Sequence, residues 1–206
     1  MGSLEYFESR AGKWDSMREG FFPDSLRPTM LSASGALPGM IATDIGAGTG
    51  FVTEALAEAG LSVIAVDQSR AMLNRLSEKL PDVETRLGLA GSLPLRDGEA
   101  DLAFANMYLH HVERPGEAIM EMTRILKPGG RLVICDLDSH NHEFLRTEHH
   151  DRWMGFDRED MERWLKGAGL EDVRVDCAGA DCKANSEVDE GKAEVSIFIA
   201  VGCKAG

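Results

Sequence analysis

A chain of 206 residues, 43% apolar and 28% charged, is long enough to bury one hydrophobic core and too ordinary in composition for a fibrous or disordered protein. Its 35 acidic residues outnumber its 22 basic ones, for a net charge of −13, where phosphate binding would demand the opposite balance. Nucleic acid and anionic membrane are therefore excluded as expected partners, and a small molecule or another protein is favoured. No apolar run approaches the roughly 20 residues of a membrane span. The polar, acidic stretch Met1 to Arg10 does not resemble a signal peptide, and Tyr6 stands where a myristoylation site wants Ser or Thr. The four cysteines, Cys135, Cys177, Cys182 and Cys203, form no CxxC pair, so reduced thiols in a cytoplasm are expected.

In chain order, the first 40 residues read as helical and amphipathic, with Trp14, Met17, Phe21, Phe22, Leu26, Met30 and Leu31 at helical spacing and breaks at Pro23 and Pro28. A regular alternation follows. Met40–Ile45 reads as a strand, Thr49–Ala59 as a helix, Leu61–Val66 as a strand, Arg70–Leu80 as a helix and Val83–Leu87 as a weak strand. Ala100–Ala105 is a strand, Gly116–Leu126 a helix stopped by Lys127-Pro128-Gly129-Gly130, and Arg131–Cys135 a strand. Asp157–Ala168 is a helix, Glu171–Cys177 a strand and Ala193–Val201 a closing strand. Strands alternating with helices of this length predict a parallel sheet covered on both faces. The last two strands have no helical pattern between them, so they are expected to pair antiparallel. The predicted organisation is a single domain, with a helical lid segment at 1–38 and an α/β core at 39–206.

The strongest local signal is Asp44-Ile45-Gly46-Ala47-Gly48-Thr49-Gly50, between a strand and a helix. Glycines there let the chain turn sharply and let a ligand press against backbone. The spacing is GxGxG rather than the GxGxxG of a dinucleotide site, which argues against an NAD-linked oxidoreductase. Asp44 just before the first glycine would repel a pyrophosphate but can face a cationic amino group. Asp67 ends the next strand, where a carboxylate can accept from two ribose hydroxyls. The ligand so described carries an adenosine and an ammonium group but no phosphate.

These residues resemble the class I methyltransferases of the ubiquinone/menaquinone-biosynthesis type. The resemblance continues through Leu93-Pro94-Leu95-Arg96-Asp97-Gly98, Asp101-Leu102-Ala103-Phe104, Leu109-His110-His111-Val112 and Arg124 to Leu132. It implies an α/β, Rossmann-like seven-stranded, mostly parallel sheet of order 3-2-1-4-5-7-6, with strand 7 antiparallel and helices on both faces. It implies S-adenosyl-L-methionine as cofactor, held by Asp44, Gly46, Ala47, Gly48 and Gly50 at its methionine end. Asp67 would hold the ribose, Gln68 would lie near the adenine, and Asn106 and Met107 beside the methionine. Family members commonly carry an acid where this chain has Leu89, so adenine contact falls to Ala90, Gly91 and Ser92. The implied function is methyl transfer to a small-molecule acceptor by a monomer or homodimer. The alternative is a non-catalytic module that binds the cofactor, its product or a protein partner.

S-adenosylmethionine carries its own leaving group, so catalysis can rest on positioning, with an acid or base only if the acceptor needs deprotonation. All six histidines fall after strands four and five: His110, His111, His140, His142, His149 and His150, with Asp136, Asp138 and Asp151 among them. His110, His111 and His140 are the catalytic candidates. Asp138, His140 and His142 could also supply metal ligands, but solvated helix-surface histidines are the expected reading and no metal is assigned. Trp153 and Phe156 are read as anchors of the next helix. The segment from His140 to Phe156 is similar to methyltransferases fused to metalloid-responsive repressors, which implies a soft acceptor such as trivalent arsenic at Cys177 and Cys182. Against this, one thiol ends a strand, the other falls in a loop, and no third is near. Tyr6, Phe7, Arg10 and Trp14 are the residues expected to close the cleft.

Overall fold

A computed structural model describes residues 3–186, 188 and 190–206. Three short helices open it: α1 (Ser3–Arg10), α2 (Trp14–Phe21) and α3 (Leu26–Ser34). The alternation then runs β1 (Ile41–Ile45), α4 (Phe51–Glu58), β2 (Ser62–Asp67), α5 (Arg70–Lys79), β3 (Glu84–Leu87) and β4 (Ala100–Asn106). A 3₁₀ turn at Leu109–His111 leads to α6 (Pro115–Ile125), β5 (Leu126–Leu137), α7 (Glu143–Glu148), α8 (Arg158–Gly167), β6 (Leu170–Asn185) and β7 (Lys192–Lys204). The strands form one sheet in the order β3-β2-β1-β4-β5-β7-β6, with β7 antiparallel to both neighbours and the other pairings parallel.

Side-chain alternation divides the core in two. Leu102 and Phe104 of β4 and Val133, Cys135 and Leu137 of β5 face one cluster, which includes Leu26 and Met30 of α3 and Val52 and Leu56 of α4. Ala103 and Ala105 of β4 and Leu132 and Ile134 of β5 face the other, with Ile119 and Met122 of α6 and Met161 and Leu165 of α8. Both faces of the sheet are thus covered, as near-continuous apolar strands require. Phe104 is fully buried at the sheet centre, and its truncation to Ala would cost about 3–5 kcal/mol.

Several boundaries differ from expectation. Pro28 does not break the helix; it lies in the first turn of α3, where its missing N–H has no intrahelical partner to lose. The Lys127–Gly130 segment is absorbed into β5, which pairs Ala100 with Leu126, shifts register, and resumes at Leu102 with Arg131. Strand β6 runs on past Cys177 to Asn185 through an irregularity between Cys177 and Asp181. Cys182 therefore lies in a strand, not in a loop.

Candidate active site

At the carboxyl end of β1 the chain turns through Gly46 (φ 72°), Gly48 (φ 54°) and Gly50 (φ 99°), conformations that cost an L side chain about 1–2 kcal/mol. The turn is held against β2, because the Gly46 and Ala47 amides donate to the Val66 carbonyl at 2.9 and 3.1 Å. Asp44 is buried beneath it and accepts the Thr53 hydroxyl at 2.6 Å. Burial pushes the Asp44 carboxyl up to about 6, against the Thr53 bonds that favour its ionised form. Asp67 ends β2 and accepts the Gly48 amide on one carboxylate oxygen and the Ser69 amide on the other, both at 2.8 Å. Its carboxyl too is raised by burial.

Asp44, Gly46, Ala47, Gly48, Asp67, Gln68, Asn106 and Met107 line one cleft of about 70 Å³, roofed by Phe7 and Trp14. Gln68, Tyr108 and His111 also belong to a broad open groove on the far side, whose floor is Leu89, Ala90, Gly91 and Ser92. Eight of the twelve predicted cofactor residues thus line the cleft, and Ala90, Gly91 and Ser92 line the neighbouring groove. The exception is Gly50, which lies behind the loop, where a Cβ would press on Leu76 of α5 at 3.2 Å. Leu89 is exposed on the groove floor and pairs with Ser92 in a two-residue bridge.

A second cavity, of about 60 Å³, abuts the first and shares Phe7, Trp14, Phe22, Met107 and His111 with it. Its remaining wall is mostly apolar (Tyr6, Phe21, Leu137, Leu145, Ala184), with His110, His149, Asp151 and Cys182 as the polar groups.

Residues 43–134 match the family described as a methyltransferase domain. Over those residues, fewer than half of the chain, the protein is similar to methyltransferase domains. It is 39% identical over 110 residues to a demethylmenaquinone methyltransferase of Renibacterium salmoninarum, covering 53% of this chain and 46% of that one. The chain spans about half or less of the length of the first curated relatives it matches. A chain from a complex with the Haloferax volcanii Trm112 methyltransferase activator superposes with a TM-score of 0.81 over 100% of this chain and 98% of that one, at 18% identity. A SAM-dependent methyltransferase of Aquifex aeolicus gives 0.68 over 95% and 97%, at 22% identity. At these identities the two structures speak for the fold.

The residues that line the cleft suit S-adenosylmethionine. Asn106 Oδ1 is buried in the cleft wall without a hydrogen-bond partner, next to the partly neutralised Asp44, so an ammonium group there would satisfy one and ionise the other. Asp67 keeps acceptor capacity on its two oxygens beyond its bonds from backbone amides. The bond that Thr49 donates to Asp15, 2.5 Å long, ties α2 to the glycine loop. Glu8 of α1 does the same at the start of α5, accepting from the Ser69 hydroxyl at 2.8 Å. Phe7, Trp14 and Tyr6 sit where a lid is expected; Arg10 instead lies over the Tyr6 ring, outside both cavities.

The histidines separate. His110 and His111 enter the second cavity. His110 Nδ1 lies 2.6 Å from Asp136 Oδ1, and although burial opposes its charge, the Asp136 and Asp151 carboxylates raise it to about 9. His111 is driven well below its usual value by burial and by the charge on His110. His140 lines neither cavity; burial and His142 lower it to about 4, and its Nδ1 accepts the His142 amide. Asp138 is not available as a partner for His140 and His142, because Arg158 grips both its oxygens at 2.7 and 2.6 Å and the Ser196 hydroxyl adds a third bond. Trp153 and Phe156 are anchors: the Trp153 indole donates to the Val112 carbonyl at 2.9 Å, and buried Phe156 packs edge-on against Trp164 of α8. Cys182 lines the cavity while Cys177 is exposed on β6, so the two thiols do not share the cavity wall. The unforeseen contributors are Leu145, Ala184 and Phe22, from elements far apart in sequence. Their only signal was apolarity.

Proposed function

We propose that the protein transfers the methyl group of S-adenosylmethionine to a small, largely apolar acceptor held in the second cavity. The observation that carries this is the shared wall: Phe7, Trp14, Phe22, Met107 and His111 border the cofactor cleft on one side and the acceptor cavity on the other. The cofactor supplies the methyl group on a sulfonium that is itself the leaving group. Asp44 and Asn106 hold the ammonium end, Asp67 the ribose, and Gln68 with Ala90, Gly91 and Ser92 the adenine. The lid helices exclude water, and the narrowness of the closed cleft means that they move when ligand enters, since sites for molecules of this size are roughly 300–1,000 Å³. His110, His111 and Asp151 receive the acceptor's one polar group. The surplus of acids, which repels polyanions, supports a small-molecule acceptor over a nucleic acid. Four cysteines without a disulfide fit a reducing compartment such as cytoplasm.

The test is release of S-adenosylhomocysteine by purified protein against a panel of small apolar hydroxyl, amine and thiol compounds. Acceptor-dependent turnover is expected. Binding of the cofactor with no turnover across the panel would favour the binding-module alternative.

A further inference from the structure

Among the described residues, one group of side chains converges closely enough to chelate an ion: His110, His111 and Asp151, whose ligand atoms all lie within 4.8 Å of one another. His110 Nε2 and His111 Nδ1 each stand 3.8 Å from Asp151 Oδ1. The donors around a tetrahedral zinc ion are about 3.3 Å apart, so an ion would draw these in by about half an ångström. We propose that His110, His111 and Asp151 form a binding site for a divalent transition-metal ion of the zinc type, set in the wall of the acceptor cavity.

The surroundings are those of a built site. His110 presents Nε2 to the cluster because Nδ1 is held by buried Asp136, the carboxylate–histidine relay that orients imidazole ligands. Asp136 is itself fixed by the Tyr108, Leu109 and Leu137 amides. The segment bearing Asp151 is pinned across the site by Arg152 and Trp153 amides that donate to the His110 carbonyl at 2.9 and 3.1 Å. His111 Nδ1 makes only a long 3.4 Å contact with the His150 carbonyl, which a metal ion would replace. Two imidazoles and one carboxylate suit zinc, cobalt or iron(II) and not magnesium or calcium, which prefer all-oxygen shells. All three side chains line the cavity, so the open fourth position faces the acceptor, as in catalytic rather than structural sites. The ion would take the acceptor's oxygen or sulfur as an anion, lowering its pKa beside the cofactor cleft. This last consequence rests on the methyl-transfer reading; the site itself does not.

The test is titration of metal-stripped protein with Co²⁺, read by visible d–d absorption and followed by displacement with Zn²⁺, with S-adenosylhomocysteine affinity measured on the same samples. We expect absorption that saturates at one equivalent and is lost in both His111→Gln and Asp151→Asn. We expect it to persist in the double variant His140→Ala/His142→Ala, and Asp136→Asn to weaken Co²⁺ by roughly 10- to 100-fold. No absorption, absorption retained in His111→Gln and Asp151→Asn, or loss confined to the His140/His142 variant would overturn the site. Co²⁺ binding without S-adenosylhomocysteine binding would leave the site standing and remove the methyl-transfer reading; the reverse would do the opposite.

Discussion

His110 and Asp136 form a fully enclosed pair, 2.6 Å apart at the carboxyl end of the sheet, beneath the wall shared by the two cavities. Since His110 rises from an ordinary 6.5 to about 9 on folding, the pair stabilises the fold in full below pH 6.5, and that contribution is lost as pH rises through 9. Urea unfolding should therefore show stability declining between pH 6.5 and about 9. Asp136→Asn should cost about 3 kcal/mol at neutral pH and flatten this decline. The same decline in the variant would mean that His110 is not charged in the fold.

Asp44 titrates in a separate window. Its carboxyl, raised to about 6 by burial, is largely neutral at pH 5 and ionised at pH 7, and an ammonium ligand binds the ionised form. Affinity for S-adenosylhomocysteine should rise roughly tenfold between those pH values. Asp44→Asn, which keeps an acceptor for Thr53, should bind weakly with no such rise. A wild-type affinity independent of pH would remove Asp44 from the ammonium site.

The Tyr108 ring lies directly on Gly46, where any Cβ would overlap it. Gly46→Ala should destabilise by about 1–2 kcal/mol from the left-handed backbone alone, with the overlap added. Adding Tyr108→Ala should recover the steric share and leave the backbone share. Strict additivity of the two substitutions in thermal unfolding would contradict the contact.

Thr49 and Asp15 make the shortest link between loop and lid. Thr49→Val should loosen the lid and weaken cofactor binding by up to about tenfold through faster release, with little change in association. Stopped-flow measurement of both rates checks this; an unchanged off-rate would mean that the lid is held elsewhere.

The β-α alternation was legible because its apolar runs are bounded by Gly60, Pro81 and Asp97-Gly98, and the antiparallel hairpin because no helical pattern lies between Cys177 and Ala193. That Asp67 and Asn106 share a cleft with the glycine loop was legible because each ends a strand, β2 and β4, beside the loop that follows β1. The length of β6 was not: Gly179, at a φ of 72°, and the irregularity after Cys177 break its period-two pattern. Nor was the second cavity, because Phe21, Leu145, Cys182 and Ala184 meet only when α2, α7 and β6 pack against one another. Sequence spacing singled out Asp138 as a candidate ligand beside His140 and His142; only packing shows that Arg158 occupies it and that Asp151 faces His110 and His111 instead.

We place S-adenosylmethionine in the cleft under the glycine loop, with Asp67 as its ribose partner. Calorimetric titration of wild type and Asp67→Ala with S-adenosylhomocysteine and NAD tests it directly. Micromolar binding of S-adenosylhomocysteine to the wild type, none of NAD, and a loss of at least tenfold in the variant are expected, since hydrogen bonds to a charged group contribute about 1.5–3 kcal/mol. Equal affinity in wild type and variant, or binding of NAD in place of the sulfur ligand, would contradict it.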